Sequence, residues 1–233
     1  MKPIAVFYHC LIYHNHREKD SPNRLGQNAL SIIRDQMSQL TSSGLSEAAE
    51  EVWVGVNGGD ETIGLLAGTI PSKSKIVSHS QEAKSETPTI VLLQKWALTH
   101  PDWHVFYFHS KGATHVDQNY LAFVSRWRHC MMKNLVLNWR QCVLDLENGY
   151  DSVGCHWMVN VGIPPKDNIW GGNFWWVKTD FLNTLAPITE RELIKTHGVN
   201  AAISRYEAER FLGAGPQLPK IKDYHVNGIG SCP

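Results

Sequence analysis

Apolar positions along the chain follow two spacings in turn. Short, near-continuous runs of β-branched and aromatic residues occur in "IAVFY" (4–8), "EEVWVGVN" (50–57), "HVFYF" (104–108) and "NFWWVK" (173–178). Runs of that length, bounded by polar turns, predict buried strands. "KIVSHS" and "YDSVGCHW" predict two more. Between the strands, Leu25, Leu30, Ile33, Met37 and Leu40 fall near helical spacing, and "SSGLS" closes that helix. Thr87 before Pro88 predicts a helix start with the threonine as N-cap, and His100-Pro101 ends it. Leu121, Val124, Trp127, Met131, Leu135, Trp139, Cys142 and Leu146 step by three and four. That stripe predicts one long amphipathic helix, or two end to end. "TDFLNTL" begins a short helix.

Strands alternating with helices predict an α/β fold with a largely parallel sheet. No repeat, low-complexity segment or linker interrupts the 233 residues, so a single domain is expected. In open α/β sheets, ligands gather at the carboxyl ends of the strands. Two polar, glycine-bearing tips stand at such ends: Asn57-Gly58-Gly59, and His109-Ser110-Lys111-Gly112.

Composition narrows the function classes. Hydrophobic residues make up 42% and charged residues 19%, enough for a packed core. Basic and acidic residues number 22 each, so the whole molecule offers no electrostatic argument for nucleic acid or anionic membranes. The first residues lack the long apolar region of a secretory signal, and no run is long enough to span a bilayer. The five cysteines are scattered and never spaced as CxxC, which predicts reduced thiols and a cytoplasmic location. Nine tryptophans suit a site for flat or ring-shaped ligands.

Candidate chemistry centres on the two tips. Lys111 and the loop amides suit an anion, His109 supplies a donor, base or metal contact, and Gly112 admits close backbone approach. The competing reading is a polar loop after a buried strand. Asn173, in "GGNFWW", must find partners in its aromatic setting, either a ligand hydroxyl or a backbone group. Glu209 stands four residues after Arg205, as a catalytic acid or a surface ion pair. Asp151 reads as a turn former. None of the twelve histidines forms HxxxH on a helix or HxH on a strand, and no Asp-x-Asp occurs. A preformed divalent-cation site is therefore not expected.

In order, "YFHSKG", "SRWR", "GYDSVGC", "GGNFWWVKTDFLNTL" and "RYEAERFLG" resemble a group of small glycosyltransferase-like proteins of bacteria, phages and large viruses. The resemblance covers roughly residues 100 to 213 and implies a GT-A-like, Rossmann-like single domain, its mainly parallel sheet flanked by helices. It implies a nucleotide-binding half over about residues 1–100 and an acceptor or catalytic half over about 101–233. The implied activity is sugar transfer from a nucleotide-sugar donor to a carbohydrate or other acceptor. Tyr8, His9 and the Asn57-Gly58-Gly59 turn would hold the nucleoside. Lys111, with His109, Ser110 and Gly112, would face the diphosphate, and Arg126 and Arg128 are further phosphate candidates. Gly172, Asn173 and Trp175 would shape the sugar site, with Asn173 and Glu209 catalytic and Glu209 as general base. The missing Asp-x-Asp departs from most GT-A enzymes and implies that Lys111 and His109 replace the metal. Were a cation bound, His109 and His225 would be its ligands. Two alternatives stay open: an inactive nucleotide-sugar or carbohydrate-binding protein, and a transferase acting on modified DNA bases.

Overall fold

The computed structural model describes residues 1–12, 27–57, 60–79, 86–113, 118–161, 167–188, 208–215 and 217–225. Its frame is a seven-stranded sheet built from β1 (Ile4–Leu11), β2 (Glu51–Asn57), β3 (Lys75–His79), β4 (His104–His109), β5 (Ser152–Gly154), β8 (Trp175–Lys178) and β9 (Ile221–Asp223). The strand order is β3-β2-β1-β4-β8-β5-β9. All pairings are parallel except those of β8, which opposes both β4 and β5. This is the mainly parallel α/β sheet expected from the strand–helix alternation. A separate hairpin pairs β6 (Trp157–Val161) with β7 (Asp167–Trp170).

The sheet is buried on both faces, which is why its strands read as continuous apolar runs. Alternate residues divide between two cores. Val6, Tyr8, Val54, Phe106, Phe108 and Trp176 face α1 (Gln27–Ser42), α5 (Gln118–Met132) and α6 (Trp139–Glu147). Ala5, Phe7, Val105, Tyr107, Trp175 and Val177 face α4 (Thr87–Ala97) and α7 (Thr179–Leu182). The same alternation sends His9, Asn57, His79 and His109 to the α4 side, at the carboxyl ends of their strands.

Three local expectations are refined. The 121–146 stripe is two helices, joined by a π-helical turn over Lys133–Leu137. Helix α4 begins at Thr87, but Glu86 rather than Thr87 occupies the cap position, without a side-chain capping bond. Two short helices, α2 (Leu45–Ala48) and α3 (Asp60–Leu66), also escape the apolar spacing. Among the described residues, no helix is long and apolar enough to cross a membrane.

Candidate functional site

The chain leaves β1 for β2 and β3 on one side, then crosses back to β4 on the other. That makes the carboxyl ends of β1 and β4 the topological switch point, where open α/β sheets form a crevice. His9 and His109 are register partners there. The structure therefore brings together one residue expected on the nucleoside side and one expected on the diphosphate side.

His9 is only 2% exposed and belongs to a buried relay. Asn57 Nδ2 lies 3.4 Å from His9 Nε2, and His9 Nδ1 lies 2.8 Å from Thr89 Oγ1, which is 3.0 Å from His79 Nε2. Asn57 donates to Nε2, so the neutral His9 donates from Nδ1 to the Thr89 hydroxyl, which also contacts His79 Nε2. Burial, reinforced by the charges of His109 and His79, holds the His9 imidazole well below its usual range, so it is neutral at neutral pH. Burial lowers His79 as well. Gly58 and Gly59 lie outside the described residues.

The loop after β4 is fastened from several directions. Ser110 N donates to His9 O at 3.0 Å, and Ser110 Oγ accepts from Leu11 N at 3.0 Å. Gln36 donates to His109 O and accepts from the Tyr8 hydroxyl at 2.7 Å. Arg128 donates to Lys111 O at 2.8 Å, and Asn28 to Gly112 O at 3.4 Å. Gly112 has φ +91°, and a Cβ there would come within 2.9 Å of Val124, so the turn requires glycine. Lys111 is 7% exposed, its ammonium 3.9 Å from the centre of the Trp127 ring. The Trp127 indole N–H is buried with no hydrogen-bond partner among the described residues. The loop is thus a rigid, cationic wall with an unsatisfied donor beside it.

On the β8 side, His109 Nε2 lies 3.0 Å from Gly172 O, and a carbonyl can only accept, so Nε2 carries the proton. Glu86 Oε2 lies 3.8 Å from the same nitrogen and accepts from the Tyr107 hydroxyl at 2.7 Å. Gly172 (φ +86°) brings its peptide against Met131 and Trp127. Glu86, Thr89, His79, Gln36 and Trp127 were missed by sequence reading. The only available signal was the apolar spacing around Thr89 and Gln36, which marks them as inward-facing polar residues.

Several expected site residues prove to be architecture. Tyr8 is fully buried, its hydroxyl spent on Gln36 and its ring against Phe108, so no face is left for a nucleoside. Trp175 is fully buried on Tyr107. Asn173 Oδ1 accepts from Trp175 Nε1 at 2.6 Å, and Asn173 Nδ2 donates to Ala208 O at 3.2 Å. The amide therefore fastens the β8 tip to the segment carrying Glu209, rather than waiting for a sugar. Arg126 is exposed, whereas Arg128 holds the loop from behind. Glu209 is half-buried in a short helical stretch, and Arg205 lies outside the described residues. Asp151 accepts from Lys220 N and pairs with Lys178 at 2.9 Å, a structural role. Asn173→Ala is expected to lower stability by about 1–3 kcal/mol through the partners left unpaired. The check is a urea midpoint alongside turnover per folded molecule. An unchanged midpoint with lost turnover would return Asn173 to the active site.

Among the described residues, the end of β4 does not offer a donor set for a divalent cation. It presents an ammonium in place of paired carboxylates, and His109 Nε2 is committed as a donor. Nor does His109 join His225. His225 packs against His156, with ring centres 4.7 Å apart. The expectation of five reduced thiols is corrected too: Cys130 is disulfide-bonded, its partner outside the described residues, while Cys10, Cys142 and Cys155 are free and buried.

No curated protein matches the sequence. Among solved structures, HddC from Yersinia pseudotuberculosis is similar over 97% of this chain and 91% of its own, at 9% identity and a TM-score of 0.47. For CMP:2-keto-3-deoxy-manno-octonic acid synthetase complexed with CTP, the values are 96%, 90%, 8% and 0.42. For glucosyl-3-phosphoglycerate synthase from Mycobacterium tuberculosis, they are 79%, 59%, 14% and 0.37. Likenesses this remote carry no argument about chemistry. The sequence itself is decisive at the level of family: with a match over residues 7–213, the chain belongs to the family described as Domain of unknown function (DUF8361).

Proposed function

We propose that the chain is a GT-A-like glycosyltransferase that takes a sugar from a nucleotide-sugar donor. The observation that carries this reading is the fastened His109–Gly112 loop, with its near-buried ammonium at the switch point of a parallel sheet. A developing diphosphate needs a preorganised cation and hydrogen-bond donors in a dry setting. Lys111 supplies the charge, and the orphaned Trp127 N–H lies alongside as a donor. The motif resemblance points to the same chemistry.

In this reading the nucleoside lies over the β1–β2 side, near His9 and Asn57. The diphosphate meets Lys111, with Arg126 as an outer contact. The sugar lies toward Gly172, where Glu209 serves as general base. That base takes the proton of the acceptor hydroxyl as its oxygen attacks the anomeric carbon, and the nucleoside diphosphate leaves against Lys111. His9 and His109 act through position: the relay and the Gly172 contact hold the crevice walls in register.

The test is a thermal-shift screen against UDP-, GDP-, CMP- and dTDP-sugars, without added magnesium or manganese. At a hundredfold excess over Kd, a native-state ligand stabilises by about 2.7 kcal/mol. For a chain of this size that is a rise of roughly 5–10 °C. One nucleotide class is expected to give it, accompanied by slow donor hydrolysis. A flat response to all four overturns the reading. A response that appears only with added manganese overturns the assignment of the counter-charge to Lys111.

A further inference from the structure

Away from the β4 loop, three potential metal ligands converge from three distant parts of the chain. Cys130 comes from the last turn of α5, His156 from just after β5, and His225 from just after β9. One ligand atom from each lies within 4.8 Å of the others, the only such group among the described residues. His156 is 3% exposed, and neither of its ring nitrogens has a hydrogen-bond partner among the described residues. A buried imidazole with both nitrogens unsatisfied is costly unless something unseen satisfies it.

The surroundings are built to hold that geometry. One carboxylate, Asp223, accepts from His156 N at 2.9 Å, Trp157 N at 2.8 Å and His225 N at 2.9 Å. It thereby sets the spacing of the two imidazoles. His156 adopts a left-handed backbone (φ 66°), and its carbonyl accepts from Gly171 N at 2.9 Å, which fixes the peptide from the other side.

We propose that, with Cys130 reduced, Cys130, His156 and His225 form a binding site for a borderline transition metal of the zinc type. Thiolate and two imidazoles are a zinc-selecting donor set, and a tetrahedral ion leaves a fourth position for water or another side chain. The Cys130 sulfur is held in a disulfide in the structure. Metal binding therefore requires prior reduction: a thiol or phosphine reductant supplies two electrons, two protons from water complete the two thiols, and Cys130 gives its proton to solvent as the metal–sulfur bond forms. The disulfide and the metal are alternative occupants of one sulfur. The metal would tie α5 to the end of the sheet. This inference does not depend on the proposed glycosyl transfer.

The test uses the full chain, reduced with a phosphine, freed of metal by dialysis, checked for complete thiol exposure, and titrated anaerobically with cobalt(II). One equivalent per chain is expected to develop the visible bands of tetrahedral cobalt and a near-ultraviolet thiolate-to-cobalt band, and zinc(II) should bleach both. His156→Asn keeps a residue that tolerates the left-handed backbone. It should lower cobalt affinity by about tenfold or more while keeping the thiolate band. Cys130→Ser should weaken that band. Zinc should also raise the melting temperature of the reduced chain but not of the oxidised one. Fully reduced protein that leaves cobalt as the pale octahedral aqua ion overturns the proposal. So does cobalt binding that His156→Asn leaves unchanged.

Discussion

Replacing Gly55 by alanine is expected to destabilise the fold by about 3 kcal/mol, the upper end of the usual cost of overpacking. Gly55 lies in β2 between His9 and Val77. A Cβ there would stand 2.0 Å from Thr89 Oγ1 and 2.7 Å from His79 Nε2, in the space the relay occupies. Neither neighbour can withdraw without breaking its hydrogen bond, so the cost joins a steric clash to an unpaired buried imidazole at His9. The measurement is the urea midpoint. Because the obstacle is mainly one hydroxyl, Gly55→Ala combined with Thr89→Ala should cost less than the sum of the two. Additive losses would mean that the relay does not define this space.

Lys111→Ala is expected to weaken nucleoside-diphosphate binding on the order of tenfold to a hundredfold, since a charge-assisted contact contributes about 1.5–3 kcal/mol. Stability should change less, because the cation–π contact with Trp127 is worth only about 0.5–2 kcal/mol. Isothermal titration with the responding nucleotide, beside a melting curve, separates the two effects. Unchanged affinity on a normal melting curve would remove Lys111 from the site and leave the loop as a sheet-end fastening.

The contrast between these residues shows what was legible in the sequence. Lys111 stood out because a fully apolar strand ended abruptly in polar residues. β1 and β4 were equally plain, being buried on both faces for five or more residues, and β2 for four. β9 spans three residues and gains its identity only by pairing with β5, so no local pattern marks it. The β6–β7 hairpin hid behind a bulge between Met158 and Val161, where Asn160 takes a positive φ and breaks the alternation. Asn173 was misread. It sits in a bend with φ 55° just before β8, and that turn brings its amide oxygen onto the Trp175 indole two residues on. Thr89 and Glu86 sit at the start of a helix whose partners come from distant strands. Cys130, His156 and His225 share no spacing at all.

The central position of β1 also has a consequence in time. Its residues Ala5 to His9 pair on one side with β2 and on the other with β4, whose first residue is His104. A ribosome adding roughly 5–20 residues per second delivers β4 about 5–20 s after β1, and β2 in about half that interval. Until then the strand at the middle of the finished sheet is an open apolar edge, the kind that recruits other chains. The newborn chain is therefore prone to aggregate until β4 has been delivered, and shielding by a chaperone would matter most during those seconds.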